Sequence, residues 1–207
     1  MIHAYDKSYL GDVMSNLGAM MEYGTCALGY SAEEIYSLFI SSGIAGNIER
    51  GHPRYLAGLS GFELALIATG KEPAPLMTSC HGPEYWAGWA LAGLQWETGR
   101  SFWEFELYGL GIRTVIDMYE PYHEADITKF LRDAQSIMDR RSSECPPLLK
   151  RYRKAAGLTQ EELALKSGTS VRAIRSYEEN ARSLSRAESG ALQNLSRALG
   201  CRMEDLL

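Results

Sequence analysis

The sequence predicts an all-α protein of two domains, an acidic helical one over residues 1–143 and a smaller basic one over 146–207. Three observations carry that reading. Helix-start signals recur along the chain, while the strict alternation of a half-buried strand is nearly absent. The polar segment Arg141-Ser-Ser-Glu-Cys-Pro-Pro147 ends in two prolines, a natural boundary because the residue before a proline leaves the helical region. The charge also changes sign there. Residues 1–144 hold 10 Lys and Arg against 19 Asp and Glu, a net −9, whereas 145–207 hold 11 against 7, a net +4.

The bulk numbers fit this division. A chain of 207 residues with 45% hydrophobic content can bury one large core or two smaller ones. No apolar run approaches the roughly 18 residues of a membrane span. The opening MIHAYDKSYL lacks the basic start and apolar stretch of a signal peptide, so a cytoplasmic protein with no membrane partner is expected. Cys26, Cys80, Cys145 and Cys201 are far apart, as are His3, His52, His81 and His123. A metal site needs clustered ligands, so none is expected, and neither is a cofactor; the cysteines read as reduced.

The helices announce themselves by capping boxes, a Ser or Thr followed three residues later by Glu. The hydroxyl accepts from one free backbone N–H, and the carboxylate accepts from another. Such pairs occur at Ser31/Glu34, Ser60/Glu63, Ser101/Glu104, Thr159/Glu162 and Ser185/Glu188. A first helix is predicted from about Lys7 to Leu28, with Leu10, Val13, Met14, Leu17 and Met21 on one face. A second follows Ser31, with Ile35, Leu38 and Phe39 inward. Residues 43–58 read as broken helix around Gly51 and Pro53. A helix follows Ser60 and stops near Gly70; then KEPAPLMTSCHGP (71–83) is a loop. Pro83 opens a helix that ends at Gly99. A last one runs from about Glu124 to Arg141, with Ile127, Phe130, Leu131, Ala134, Ile137 and Met138 at helical spacing.

The basic segment reads as five short helices. Leu149 and Tyr152 face inward on the first, which stops at Gly157. Thr159 caps a second, with Leu163 and Ala164 inside, broken at Gly168. Thr169 or Ser170 caps a third, with Ile174 and Tyr177 inside. A fourth carries Leu192, Leu195, Ala198 and Leu199 and ends at Gly200; a short turn from Met203 to Leu207 closes the bundle. Two helices joined by a short glycine-containing turn are the signature of a helix-turn-helix unit.

The stretch L-x-x-YR-x-x-x-GLTQEELALKSGTS-x-x-x-I-x-x-YE, with the trailing Leu195, Ala198, Leu199 and Gly200, closely resembles the lambda-repressor-like (Cro-type) helix-turn-helix family. The resemblance covers about 60 residues, 146–207. It implies a five-helix domain that binds double-stranded DNA and regulates transcription. By position it implies base contacts from Ser170, Val171, Arg172, Arg175 and Ser176, where Arg suits guanine and Val171 a thymine methyl. It implies phosphate contacts from Gln160, Thr169 and Arg182, and a structural ion pair between Arg153 and Glu178. Lys150, Arg151 and Lys154 read equally as a DNA flank or a solvated face. Asn180 stands where the family usually has Gly, and the loop before the fourth helix is about three residues longer unless Ser185 starts that helix early.

A shift of 58 positions aligns 91–120 with 149–178 without a gap, matching Leu91/Leu149, Gly99/Gly157, Glu104/Glu162, Leu107/Leu165, Ile116/Ile174, Tyr119/Tyr177 and Glu120/Glu178. A degenerate second helix-turn-helix would follow. Its outer surface, Arg113, Thr114, Asp117 and Met118, carries an acid and is not expected to bind DNA. Nearby, Trp86, Trp89 and Trp96 share a helical face by spacing, the pattern of a core stripe or of a pocket.

The functional expectation is a DNA-binding regulator, a homodimeric repressor of its own operon, with residues 1–143 supplying dimerisation, partner binding or effector sensing. The alternative is an antitoxin-like protein whose first domain grips a partner protein. An enzyme is the remote alternative: only the adjacent Cys80 and His81 resemble a nucleophile and base, and no catalytic residue is assigned.

Overall fold

The computed structural model describes residues 3–75, 80–144 and 148–179, then 182, 184, 187, 189–201, 203 and 206, with the backbone alone at 142–144 and 189. Every regular element among them is helical. Contacts divide the chain into two compact units, Met1–Arg141 and Ser142–Leu207.

In the first unit a 3₁₀ turn, Lys7–Tyr9, leads into α1 (Leu10–Cys26). The turn exists because the Asp6 carboxylate accepts the Ser8 N–H at 2.8 Å, which fixes a short cap before the helix begins. Next come α2 (Ala32–Ser41), α3 (Ile44–Glu49), α4 (Pro53–Leu56) and α5 (Gly61–Thr69). Then follow α6 (Pro83–Thr98), α7 (Phe102–Leu107), α8 (Ile112–Asp117), α9 (Tyr119–Tyr122) and α10 (Ile127–Glu144). The first helix is thus shorter at both ends than its periodicity suggests. The last starts at Ile127 and runs through Arg141 to Glu144, into the segment expected to be a boundary; Pro146 and Pro147 lie outside the described residues.

The helix α1 is the axis of this unit. It packs on α6 most extensively, then on α5 and α2. Val13, Met14, Leu17 and Met21 are buried as its pattern requires, but so are Met20, Glu22 and Tyr23 on other faces, whereas Leu10 is only half-buried. Neighbours on several sides confine its exposed residues to Gly11, Asp12 and Ser15 near its start and Cys26 at its end. Two glycines set the spacing. A Cβ on Gly88 of α6 would lie 2.6 Å from the Leu17 carbonyl oxygen, and one on Gly61 of α5 would collide with that of Asn16. On α2, Ile35 and Phe39 are buried, but Leu38 is half-exposed and Tyr36 takes the inward place expected of it. Burial of Tyr36 is compatible with its hydroxyl because that group donates to the Phe102 carbonyl at 3.0 Å.

Four capping boxes are described. Ser31, Ser60 and Thr159 accept the N–H of Glu34, Glu63 and Glu162 at 3.2, 3.3 and 3.1 Å, and each Glu accepts the cap N–H in return. At Ser101, Glu104 accepts the cap N–H at 2.8 Å. Ser185 and Glu188 lie outside the described residues.

The second unit holds α11 (Leu148–Ala155), α12 (Gln160–Ser167), α13 (Val171–Glu178) and α14 (Ser189–Leu199). Its core is Leu149, Leu163, Ile174, Leu184, Leu195 and Leu206, with Tyr152, Ala164, Tyr177, Leu192, Ala198 and Leu199 packed around it. Leu206 is buried, as a closing turn requires; Leu207 lies outside the described residues.

The sequence repeat has a structural counterpart only in part. Gly99 and Gly157, both left-handed, precede the boxed starts at Ser101 and Thr159, and Phe105 and Leu163 are both buried. Beyond the turn the register is one residue off. The left-handed glycines are Gly109 and Gly168, the next helix caps are Gly111 and Ser170, and the residues buried are Val115 and Ile174. Ile116, which the sequence pairs with Ile174, is half-buried, and Glu120, paired with Glu178, is exposed.

Candidate nucleic-acid interface

The turn between α12 and α13 is three residues long. Gly168 ends α12 at φ 65°, a left-handed conformation open to glycine at no steric cost. Ser170 then caps α13, its Oγ accepting the Ala173 N–H at 3.2 Å. Thr169 sits between them, half-buried, with its N–H donated to Ser167 Oγ at 3.3 Å. Ile174 is wholly buried on α13, so Arg172 and Arg175 fall on the exposed side.

A buried ion pair anchors the other end of α13. Arg153 of α11 donates from Nε to Glu178 Oε1 at 2.6 Å and from Nη2 to Oε2 at 2.9 Å, a bidentate fork. Its Nη1 donates to the Leu158 carbonyl at 2.7 Å, which ties in the loop ahead of α12. Burial would raise the Glu178 carboxyl, but the bonds from Arg153 and Gln160 and the charge of Arg153 outweigh it and hold the group below its ordinary range. The same bond raises Arg153.

Ser170, Arg172, Ala173, Ser176 and Arg182 line one concavity of about 390 Å³. Arg182 is brought there by its backbone N–H, which donates to the Ser176 carbonyl at 3.2 Å. None of Arg172, Arg175 and Arg182 makes an ion pair with a described residue, so three exposed guanidinium groups surround the outer face of α13. Exposed cations with hydroxyls beside them suit a polyanion with hydrogen-bonding edges.

Residues 149–206 match a helix-turn-helix family model. That match supports a DNA-binding transcription regulator, in line with the lambda-repressor-like resemblance of the same stretch. No curated protein and no solved structure matches the chain.

Within the helix-turn-helix domain the expected contact residues fall into groups. Ser170, Arg172, Ser176 and Arg182 share the concavity; Val171, half-buried, and Arg175, exposed, lie on α13 outside its lining. Gln160 is placed differently from a free phosphate donor. Its Nε2 donates to Glu178 Oε2 at 2.8 Å, which commits one amide hydrogen to the ion pair and leaves the other. Lys150 is half-buried, while Arg151 and Lys154 are exposed. Asn180 lies outside the described residues. A second basic hollow of about 470 Å³ brings together Lys166 of α12 and Asn194 and Arg197 of α14. No sequence motif joins these residues; only the packing of α12 on α14 does so.

In the first unit the pair considered for catalysis is divided between other partners. The Cys80 thiol and N–H both donate to Glu22, at 3.3 and 3.1 Å, and the His81 ring stacks on Tyr85. No described helix is long and apolar enough to cross a membrane.

Proposed function

We propose that the chain is a sequence-specific repressor of its own operon, acting in the cytoplasm as a homodimer. The helix α13 enters the major groove of double-stranded DNA. The observation that carries this reading is the concavity that Arg172 and Arg182 share with Ser170 and Ser176, with Arg175 exposed on the same helix and none of the three arginines ion-paired to a described residue. Arg172 and Arg175 read guanine, Val171 packs on a thymine methyl, and the two serines bond base edges. Arg182, Thr169 and the free amide hydrogen of Gln160 hold phosphates and set the register. One such domain reads a half-site, so two copies span half-sites about 34 Å apart. The acidic residues 1–143 have no net attraction for phosphates and supply the dimer contact or the sensing function.

The test is binding of the full chain to its own upstream DNA at two salt concentrations, wild type beside Arg172→Ala. Selective, salt-sensitive binding weakened by about 1–3 kcal/mol in the variant is the expected outcome. Equal binding to scrambled DNA by wild type would end the proposal.

A further inference from the structure

The first unit carries a hollow of about 260 Å³, near the small end of the range for ligand pockets. Six rings line it: His81, Tyr85, Trp86, Trp89, Tyr119 and His123, with two aliphatic side chains. They come from the start of α6, from His81 two residues ahead of it, and from α9 and its C-terminal cap. The rings are ordered by one another. His81 stacks on Tyr85 at 4.1 Å, and His123 stacks on Tyr119 at 4.2 Å. Trp86 is fixed edge-on between Tyr119 and Phe130, at 5.9 and 5.2 Å. Trp89 differs: it is half-buried and makes no ring contact with another described aromatic residue. His81 adds a second peculiarity, a φ of 50°, the left-handed conformation that a non-glycine residue adopts only when its surroundings hold it there.

The lining has no permanently charged side chain, and the unit that carries it is acidic. Glu84, Glu120 and Glu124 each stand next in sequence to a lining residue, and residues 1–141 carry 10 Lys and Arg against 18 Asp and Glu. Aromatic faces attract cations through their quadrupoles, and a negative surrounding field adds to that attraction. A polar anion would meet neither a fixed cation nor a favourable field.

We propose that this hollow is an effector site for a small planar aromatic cation of one or two rings, which lies against Trp89 and Tyr119. The site lies wholly in the first unit, and its existence does not depend on the DNA-binding reading. The chemistry named is that of an N-alkylated heteroaromatic ring: flat enough to stack on indole, charged enough to select the acidic unit, and small enough for the volume.

The experiment uses the full chain, without DNA, at pH 8. N-methylisoquinolinium is titrated by calorimetry beside its neutral isostere 2-methylnaphthalene. Saturable binding of the cation, at one per chain and at least tenfold tighter than the neutral ring, is expected. Trp89→Leu and, independently, Tyr119→Leu, each checked for helical content by circular dichroism, should weaken it at least tenfold, whereas Trp103→Leu should not. Absence of saturable binding, equal affinity for the neutral ring, or full affinity in a folded Trp89→Leu chain would each overturn the proposal. The comparison of the two probes on the wild-type chain stands even where a variant does not fold.

Discussion

Arg153 and Glu178, 25 residues apart, are joined by two parallel bonds of 2.6 and 2.9 Å inside a domain whose core has six buried apolar side chains among the described residues. In so small a core an uncompensated charge is costly. Glu178→Gln keeps the shape but leaves Arg153 buried without a counter-charge, and should cost about 3–5 kcal/mol at pH 7. Because the Glu178 carboxyl is held low in the folded state, its contribution is complete above the ordinary Glu value of about 4.3 and is lost as pH falls through the lower folded value. The gap between wild type and variant, followed by urea denaturation of the second unit, should therefore narrow at acid pH. A gap that stays constant down to pH 2 contradicts this account.

Arg172 and Arg182 line the same concavity but are assigned different work. Arg182→Ala should weaken binding by a similar factor on every DNA sequence and reduce the slope of log affinity against log salt by about 1. Arg172→Ala should instead flatten the preference at one base position. Competition against a panel of single-base operator variants separates the two; identical profiles would refute the division.

Gly88 faces the backbone of α1. In an exposed helix, replacing Gly by Ala gains about 1 kcal/mol. Here the new methyl would meet the Leu17 oxygen at 2.6 Å, and backbone cannot swing aside as a side chain can. Gly88→Ala should therefore destabilise the first unit by about 1–3 kcal/mol. A stabilised variant would show that α1 and α6 separate easily.

Arg113 occupies on α8 the place that Arg172 occupies on α13 when the two turns are superposed by their caps, Gly111 and Ser170. Its guanidinium is 3.3 Å from Asp117, one turn along, so its charge is offset. Arg113→Ala should leave operator affinity within a factor of about two, which fluorescence anisotropy can resolve. A large loss would place α8 on the DNA.

The local grammar of this fold was open to reading because it is local. A Ser or Thr and a Glu three residues on must meet if a helix starts there, and Ser31, Ser60 and Thr159 do so with both arms of the box. The helix-turn-helix segment was legible through Gly168, Ile174 and the GLTQEELA run. Periodicity did not reveal how many neighbours a helix has. One face of α1 is visible in the pattern, but the burial of Met20 and Tyr23 depends on helices far along the chain. Long-range polar bonds were equally hidden: Glu49 accepts the Phe102 N–H at 2.8 Å across 53 residues, and Gln160 bonds Glu178 rather than solvent. The repeat misled for a physical reason as well. Identical letters at Ile116 and Ile174 do not share an environment, since α7 is two residues shorter than α12 and the turn after it is one residue longer.

All four tryptophans, Trp86, Trp89, Trp96 and Trp103, fall within 18 residues of the first unit, while the second has only Tyr152 and Tyr177. Light absorbed at the red edge of the protein band is therefore emitted by one half of the molecule. A melt followed by indole emission will report a single transition and stay blind to the DNA-reading half. The complementary signal is the loss of operator binding itself, and the temperature difference between the two curves measures how independently the halves hold their structure.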